Sequence, residues 1–289
     1  MSTRIAFLKG HGTENDFVIV PDPDNAIDLP PAAVAALCDR RAGVGGDGLL
    51  HVVRSAAHPE AREMAAEAEW FMDYRNGDGS IAEMCGNGVR VFARYLQHAG
   101  HVTEGDVSVA TRAGVKSVHI AKDGDVTVGM GKARLPEGDV TVSVGERSWP
   151  ALNVNMGNPH AVAFVDDLDH AGHLYTPPPF SPAAAYPDGV NVEFVVDRGP
   201  AHVAMRVHER GAGETRSCGT GACAVAVAAA RRDGVDPTVT GTPATYTVDV
   251  LGGRLVITER PDGEIEMTGP AVIVAEGEIA PEWLETAVR

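Results

Sequence analysis

Two short cysteine motifs are the residues of this 289-residue chain whose types and spacing most clearly allow chemistry. Residues 85–88 (CGNG) and, 133 positions later, residues 218–221 (CGTG) each precede an apolar stretch of helical character. A helix start has unpaired backbone N–H groups and a partial positive charge, so it can bind a carboxylate. We expect the same field to lower the pKa of a cysteine placed there. The glycines let a ligand approach the backbone closely.

A pair of such thiols points to a narrower chemistry than a single one. One thiolate can remove the proton α to a carboxylate, and a second thiol can return a proton to the opposite face of the carbon. Positive potential from two helix starts would stabilise the negative charge that develops beside the carboxylate. The expected reaction is therefore racemisation or epimerisation without a metal or a pyridoxal cofactor. The common metal-ligand spacings HExxH and CxxC do not occur in the sequence.

The other two cysteines have no such context. Cys38 lies within a helical pattern over residues 31–41, and Cys223 lies inside the helical pattern that follows residue 221. Both are expected to be buried as small apolar side chains. A redox pair of Cys85 and Cys218 remains an alternative interpretation, as an oxidised and inactive state.

Amides and charged groups cluster near the same motifs. Five of the eight asparagines lie in or beside glycine-rich turns or strand entries: Asn15, Asn76, Asn87, Asn158 and Asn191. Glu209 and Arg210 add an acid and a guanidinium suited to bidentate carboxylate recognition. His160 follows a proline directly. Together these residues indicate a polar, zwitterionic ligand.

Short runs rich in Val and Ile between turn residues predict the strands that must position these groups. The runs cover residues 17–20, 107–111, 115–120, 126–130, 190–196, 203–207 and 255–258. Helical patterns cover residues 31–41, 89–99 and 222–233. Because the cysteine motif, its helix and its neighbourhood all recur, we interpret the chain as two related halves.

Composition excludes several classes of function. The formal net charge of −16 argues against nucleic-acid binding and against an anionic membrane surface. The content of 44% hydrophobic and 22% charged residues is typical of a globular protein without a membrane span. The first residues predict a strand rather than a signal peptide, so we expect a cytoplasmic protein.

Motifs in one order along nearly the whole chain resemble the diaminopimelate epimerase family. They are residues 9–17 (KGHGTENDF), 40–48 (RRAGVGGDG), 76–80 (NGDGS), 84–88 (MCGNG), 156–160 (MGNPH), 189–192 (GVNV), 209–215 (ERGAGET) and 217–221 (SCGTG). A single CGxG motif is weak evidence, but the ordered set is highly specific.

The resemblance implies interconversion of LL-diaminopimelate and the meso form, without cofactor or metal. Cys218 would be the base toward the LL substrate and Cys85 the acid, and their roles would exchange in reverse. His160 and Glu209 would tune the ionisation of the thiols. The remaining expected substrate contacts are Gly86, Asn87, Gly219 and Thr220 at the reacting carboxylate, and Asn15, Asn76, Asn158, Asn191, Glu209 and Arg210 at the distal amino-acid end.

The family fold implied is α+β, with two pseudo-symmetric domains and the active site in the cleft between them. Each domain would be a mainly antiparallel sheet or barrel wrapped around a central helix. The expected domains are residues 1–131 with 276–289, and residues 132–275. Gly48 replaces a glutamine that contacts substrate in some members, and Ala275 replaces a tyrosine involved in dimerisation. Whether the protein forms a homodimer therefore stays open. The proline-rich residues 176–187 are expected to form a surface loop.

Three alternatives remain. A proline or hydroxyproline racemase also uses paired cysteines, but its small substrate has no distal end for the Glu-Arg pair and the asparagines. An isomerase of the phenazine-biosynthesis type shares the architecture but lacks the two-cysteine arrangement. A non-catalytic binder of zwitterions would have no use for two thiols at helix starts.

Overall fold

A computed structural model of the protein describes residues 4–122 and 124–287. Strands dominate it and helices are few, which confirms the predicted α+β class. In chain order the strands are β1 (Ile5–Gly12), β2 (Asn15–Pro21), β3 (Gly48–Arg54), β4 (Trp70–Asn76), β5 (Gly105–Thr111), β6 (Gly114–Ile120), β7 (Asp125–Lys132), β8 (Val140–Val144), β9 (Arg147–Asn155), β10 (Pro159–Phe164), β11 (Phe180–Ser181), β12 (Asn191–Gly199), β13 (His202–Glu209), β14 (Gly213–Glu214), β15 (Ala244–Val250), β16 (Gly253–Glu259), β17 (Glu264–Pro270) and β18 (Val272–Ile279).

The helices are α1 (Pro31–Cys38), α2 (Gly86–His98), α3 (Gly219–Arg232), α4 (Pro237–Thr240) and α5 (Pro281–Ala287). No helix in residues 4–122 and 124–287 combines the length and the apolar character that crossing a membrane requires. Short 3-10 turns occupy part of the alanine- and glutamate-rich stretch after β3. The proline-rich residues 176–187 contain β11, which pairs with β8, and another 3-10 turn.

The chain divides into two compact units. Unit 1 comprises Met1–Val128 with Pro270–Arg289, and unit 2 comprises Gly129–Gly269. In unit 1, β18 pairs with β1, and the strands then follow in the order β1 to β7. The pairs β2–β3 and β4–β5 are parallel, and the other successive pairs are antiparallel.

Unit 2 repeats this order of pairings. Its strands run β8, β9, β10, β12, β13, β15, β16 and β17, with β10–β12 and β13–β15 parallel and the named neighbours otherwise antiparallel. The helix that carries the cysteine motif connects a parallel pair in each unit, β4–β5 by α2 and β13–β15 by α3. The recurring cysteine motif therefore marks a repeat of a whole supersecondary unit.

Each of these two helices is the core of its own sheet. Helix α2 packs against β1–β6 and β18, and α3 packs against β9, β10, β12, β13, β15 and β16. Nearly every residue of α3 from Gly219 to Ala230 is buried, and α2 is buried from Gly86 to Ala93. A helix that is buried all round needs small or apolar residues on every face, which explains the alanine-rich sequence of α3.

Helix ends differ from the sequence prediction by three residues at three points. Helix α1 ends at Cys38 rather than at residue 41, because the Asp39 carboxylate accepts the backbone N–H groups of Arg41 and Ala42 at 2.8 and 2.6 Å. This local bond competes with helix continuation. Helices α2 and α3 begin three residues earlier than predicted, because the glycines after each cysteine already form the first helical turn.

A buried charged network fixes one end of the sheet in unit 1. Asp73 on β4 is fully buried and receives Arg75 Nη2 at 2.9 Å and Arg112 Nη2 at 2.8 Å. Its Oδ2 also contacts His51 Nδ1 at 3.3 Å. Burial alone would raise the pKa of Asp73, but the hydrogen bonds from His51, Arg75 and Arg112 hold this pKa well below its usual range.

We predict that Asp73→Asn destabilises unit 1 by about 3–5 kcal/mol at neutral pH, since it removes the buried carboxylate that pairs with Arg75 and Arg112. A carboxylate with a lowered pKa stabilises the fold above its unfolded pKa of about 4, and this contribution is lost as the pH falls. Urea unfolding from pH 7 down to about pH 3 should therefore show a shallower loss of stability in Asp73→Asn than in the wild type. The matched control is Asp24→Asn, whose carboxylate is 84% exposed beside Arg54. Equal effects of the two variants would contradict the prediction.

Candidate active site

In unit 2 the Cys218 sulfur caps the N-terminus of α3. Its Sγ accepts the backbone N–H of Gly221 at 3.3 Å, while the Cys218 carbonyl accepts Ala222 N at 2.9 Å. The backbone of Cys218 is extended (φ −113°, ψ 113°), as is usual for a capping residue. Gly221 is required there, because a Cβ would lie 3.1 Å from Cys218 Sγ and 2.8 Å from Glu193 Oε1.

In unit 1 the Cys85 sulfur caps α2 in the same way. Sγ accepts Gly88 N at 3.4 Å, and the Cys85 carbonyl accepts Val89 N at 2.8 Å. Cys85 is partly exposed, whereas Cys218 is 5% exposed. The N–H groups of the first helical residues point outward from a helix end, so both ends can receive an anion.

Asn15 links the Cys85 motif to the sheet of unit 1. Its Oδ1 accepts Asn87 Nδ2 at 3.2 Å and Cys85 Sγ at 3.6 Å. Its Nδ2 donates to Asp47 Oδ2 at 2.7 Å, and Arg40 Nη2 in turn donates to Asp47 Oδ1 at 2.6 Å. The Arg40–Asp47 ion pair, within the loop between α1 and β3, therefore fixes the amide that contacts the thiol.

Asn87 and Asn76 have different surroundings. Asn87 is buried, and its Oδ1 accepts Arg90 Nη2 at 2.9 Å. Asn76 lies at the end of β4, where its Oδ1 accepts Tyr74 Oη at 3.0 Å and its Nδ2 donates to Ser80 Oγ at 3.0 Å. The structure thus brings Asn15 and Asn87 to the Cys85 thiol and places Asn76 in the adjoining turn.

Polar side chains of unit 2 share one face of the sheet below α3. His160 on β10 is in register with Asn191 on β12, and Glu193 on β12 is in register with Val207 on β13. Because side chains alternate along a strand, Asn191, Glu193 and Glu209 lie on the same face as His160. Helix α3 packs on β10, β12 and β13, so these groups come together with Cys218.

A chain of hydrogen bonds leads from this face to the sulfur. His160 Nδ1 is 2.6 Å from Glu193 Oε1, and its Nε2 is 3.0 Å from Asn158 Oδ1. Asn158 Nδ2 donates to Thr220 Oγ1 at 3.3 Å, and Thr220 Oγ1 is 3.6 Å from Cys218 Sγ. His160 and Glu193 are both fully buried.

The expected lowering of the pKa is wrong for Cys218. Burial raises the pKa of this thiol well above its usual value, and the nearby Glu209 and Glu193 carboxylates raise it further. Bonds from Thr220 and from the Gly221 N–H oppose this increase but do not offset it. The helix start therefore acts on Cys218 as predicted, but two carboxylates and the loss of hydration are stronger.

Glu209 is the charged neighbour of the Cys218 thiol. Its carboxylate accepts the Thr215 hydroxyl and hydrogen-bonds the thiol. Burial raises the pKa of Glu209, and the Glu193 charge adds to this increase. The pKa values of Cys218 and Glu209 are therefore both raised, chiefly by burial, and the charge of Glu209 adds to the increase at Cys218.

Asn191 and Arg210 form a separate contact at the edge of this face. Asn191 is buried; its Nδ2 donates to Pro159 O at 2.9 Å, and its Oδ1 accepts Arg210 N at 2.9 Å. The Arg210 side chain is exposed and donates through Nη1 to Asp188 O at 3.2 Å. The buried amide thus orients the backbone that carries an exposed guanidinium.

Sequence reasoning missed Glu193, Asp47 and Arg90. The signal for Glu193 was an acid inside an apolar strand, two positions after Asn191 and hence on the same face. The structure also explains Gly48. A Cβ there would lie 2.6 Å from Arg75 O and 2.8 Å from Tyr74 Cε2, so a glutamine does not fit.

Cys38 and Cys223 are buried, as predicted, and all four cysteines lie in the described part of the chain as thiols. Within residues 4–122 and 124–287, no group of three or more His, Cys, Asp or Glu side chains is arranged to hold a metal ion.

Comparison with known proteins identifies the family. The sequence profile of diaminopimelate epimerase matches residues 7–136 and 152–274. Diaminopimelate epimerase from Streptomyces coelicolor is 88% identical over 285 residues, covering 99% of each chain. The enzyme of the same name from Thermobifida fusca is 48% identical over 277 residues, covering 94% of this chain and 97% of that one.

Solved structures with low identity share the fold. A phenazine biosynthesis protein of the PhzF family from Bacillus anthracis has a TM-score of 0.73 at 16% identity, covering 96% of this chain and 99% of that one. A hydroxyproline epimerase from Agrobacterium vitis has a TM-score of 0.66 at 15% identity, covering 96% and 93%. The two-domain α+β fold is thereby confirmed, and the profile and the identities establish that the chain belongs to the diaminopimelate epimerase family.

Proposed function

We propose that this protein is an isomerase that interconverts LL- and meso-2,6-diaminopimelate, a reaction of lysine biosynthesis. The observation that carries the proposal is that each unit places a cysteine sulfur at the N-cap of its buried helix. The identity to the curated relatives over nearly the whole chain supports the choice of substrate.

In the proposed reaction Cys218 removes the α-proton of the LL substrate as a thiolate, and the Cys85 thiol returns a proton to the opposite face. Because the thiol of Cys218 contacts Glu209, transfer of its proton to that carboxylate creates the thiolate without changing the net charge of the buried pair. The first N–H groups of both helices stabilise the reacting carboxylate as negative charge develops next to it.

The remaining assignments are part of the same proposal. Gly86, Asn87, Gly219 and Thr220, at the two helix starts, would hold the reacting carboxylate. The exposed guanidinium of Arg210 offers a fork for the distal carboxylate. The other proposed contacts of the distal amino-acid end are Asn15, Asn76, Asn158, Asn191 and Glu209. His160 acts on the thiol through Asn158 and Thr220 rather than by direct contact.

The proposal also covers the organisation of the enzyme. We take residues 1–131 with 276–289 and residues 132–275 as the two epimerase halves, and we place the enzyme in the cytoplasm, acting on a small-molecule amino acid as a homodimer. Ala275, which replaces the family's tyrosine, is exposed on β18, so the oligomeric state in solution tests this part of the proposal.

We predict that the purified, reduced protein converts LL-diaminopimelate to the meso form in D₂O without added cofactor. Deuterium should appear at one Cα, because the proton returned comes from a thiol in exchange with solvent. Mass spectrometry with chiral separation measures the amount of meso product and its deuterium content. Exchange with L-proline or hydroxyproline, and none with diaminopimelate, would instead support a proline-type racemase.

Replacing either Cys85 or Cys218 by alanine should abolish epimerisation, with a loss of activity of at least about a thousandfold, because each direction needs both a base and an acid. Cys38→Ala and Cys223→Ala are the controls, since both side chains are buried and neither residue is the N-cap of a helix. These two control variants should keep most of the epimerisation activity. Similar losses of activity in all four variants would show that the N-cap position has no special role.

The raised pKa of Cys218 predicts that iodoacetamide labels it only as the pH rises above the usual range for a thiol, because the thiolate is the nucleophile. Glu209→Gln removes a nearby negative charge, so the pH midpoint of labelling should fall. Glu146→Gln alters an exposed acid of the same unit and should leave the midpoint unchanged. A midpoint that stays constant in Glu209→Gln would contradict the proposed coupling of the two groups.

A further inference from the structure

Asp47 lies in the loop between α1 and β3, and the proposed reaction assigns it no role. Its Oδ1 accepts Arg40 Nη2 at 2.6 Å. Its Oδ2 accepts the backbone N–H of Asp16 at 3.3 Å and Asn15 Nδ2 at 2.7 Å. Because a guanidinium and a backbone N–H group can only donate, both oxygens of Asp47 act as acceptors.

These acceptor oxygens fix the direction of the Asn15 side chain. The NH₂ group of Asn15 must face Asp47, so its carbonyl oxygen Oδ1 faces the other way. On that side lie Asn87 Nδ2 at 3.2 Å and Cys85 Sγ at 3.6 Å. If the amide turned over, its oxygen would face the Asp47 carboxylate and its NH₂ group would face the NH₂ group of Asn87.

Arg90 imposes the same direction from the other end of this chain of hydrogen bonds. Its side chain is fully buried, and Nη2 donates to Asn87 Oδ1 at 2.9 Å and to Thr13 Oγ1 at 3.1 Å. A guanidinium has no acceptor, so Asn87 turns its oxygen to Arg90 and its NH₂ group to Asn15. Gly12 leaves room for the guanidinium, since a Cβ there would lie 2.9 Å from Nη2.

The direction of the amide determines what the Cys85 sulfur can bind. Asn15 Oδ1 can only accept, so its contact with Sγ is a hydrogen bond when the sulfur carries its proton. The same sulfur accepts the backbone N–H of Gly88 at 3.4 Å. A thiol satisfies both contacts, whereas a thiolate would face the lone pairs of the amide oxygen. A hydrogen bond to the neutral form of an acid favours that form.

We infer that Asp47 is a positioning residue of the proposed epimerisation: it holds the carbonyl oxygen of Asn15 against Cys85, so that this sulfur keeps its proton. This inference rests on the proposed function, in which the Cys85 thiol returns a proton to the LL-derived carbon. An amide oxygen accepts a hydrogen bond but does not remove the proton. Cys218 differs, because it contacts the carboxylate of Glu209.

Other charged groups lie near the start of α2. The guanidinium of Arg90 and the N–H groups of the first helical turn favour a thiolate, so they oppose the Asn15 contact. Glu14 and Glu83, in the turns on either side, are exposed to water. Tyr74 on β4 donates its hydroxyl proton to Asn76. The Asn15 contact is therefore expected to outweigh one buried cation and the helix start.

The strands packed on α2 place their remaining charges elsewhere. Phe17 and Leu50 face the helix under Gly88, and side chains alternate along each strand. The registers of β1 to β6 then turn these side chains away from α2: Lys9, His11, Asp16, His51, Asp73, Arg75, Asp106 and His119. Those on the helix side or in its later turns lie toward its other end: Arg54, Arg94, His98, Lys116, Glu276 and Glu278.

The infrared S–H stretching band tests the inference on the wild-type protein. A thiolate has no such band, and a thiol that donates a hydrogen bond absorbs at lower wavenumber. The difference between wild type and Cys85→Ala at pH 7 isolates the Cys85 band. We expect this band to be present, and to move to higher wavenumber in Asp47→Ala. A missing band, or one that Asp47→Ala leaves in place, would overturn the inference.

A double-mutant cycle on Cys85 labelling by iodoacetamide, followed against pH by mass spectrometry, tests the route through Asn15. Asp47→Ala should lower the labelling midpoint by roughly half to one pH unit, which is about three- to tenfold faster labelling at a fixed lower pH. In the Asn15→Ala background the same change should have no further effect. Asp39→Asn is the control, because it removes a charge from the same loop but not an Asn15 contact.

The labelling midpoint reports protonation, whereas a change in accessibility alone alters the labelling rate at every pH. An unchanged or higher midpoint in Asp47→Ala would contradict the direction assigned to the Asn15 amide. A shift that persists in the Asn15→Ala background would show that the Asp47 charge acts on the sulfur directly. Neither measurement uses substrate, so a wild-type protein inactive on diaminopimelate would overturn the proposed function separately.

Discussion

The structure depends on one interaction that occurs twice, a cysteine sulfur that caps a buried helix. A helix buried at its N-terminus must satisfy backbone N–H groups away from water. In α2 and α3 the capping atom is Sγ of Cys85 or Cys218, which accepts a glycine N–H at 3.4 or 3.3 Å. The same contact places each sulfur among outward-pointing N–H groups. A single side chain therefore both stabilises the helix start and fixes the position of the sulfur there.

The sheets explain why such a helix can be buried. In each unit the helix connects two parallel strands and is then covered by strands of the same sheet, in the same order of pairings. Small residues let the strands approach closely, as the alanines of α3 show. The alternation of side chains along β10, β12 and β13 then presents His160, Glu193 and Glu209 to the first turn of α3.

The Cys218 environment shows how electrostatics in such a site are balanced. The helix start favours a thiolate, but burial and two carboxylates favour the thiol more strongly. Cys218 is held as a thiol and contacts Glu209, a proton acceptor whose pKa is raised. This arrangement suits a reaction in which one thiol and one thiolate must exchange roles. The Cys85 motif is organised differently, through Asn15 and the Arg40–Asp47 ion pair.

The sequence by itself determined the helix-start cysteines, the repeat, most strand positions and the family, because glycine turns, period-2 apolar runs and ordered motifs are local signals. It also separated Cys38 and Cys223, which are buried, from the capping pair. Only the tertiary structure showed that Gly48 has no room for a side chain and that the pKa of Cys218 is raised. These features depend on atoms far apart in the chain, since desolvation and the charges of Glu193 and Glu209 act on Cys218 only once β12, β13 and α3 are packed together.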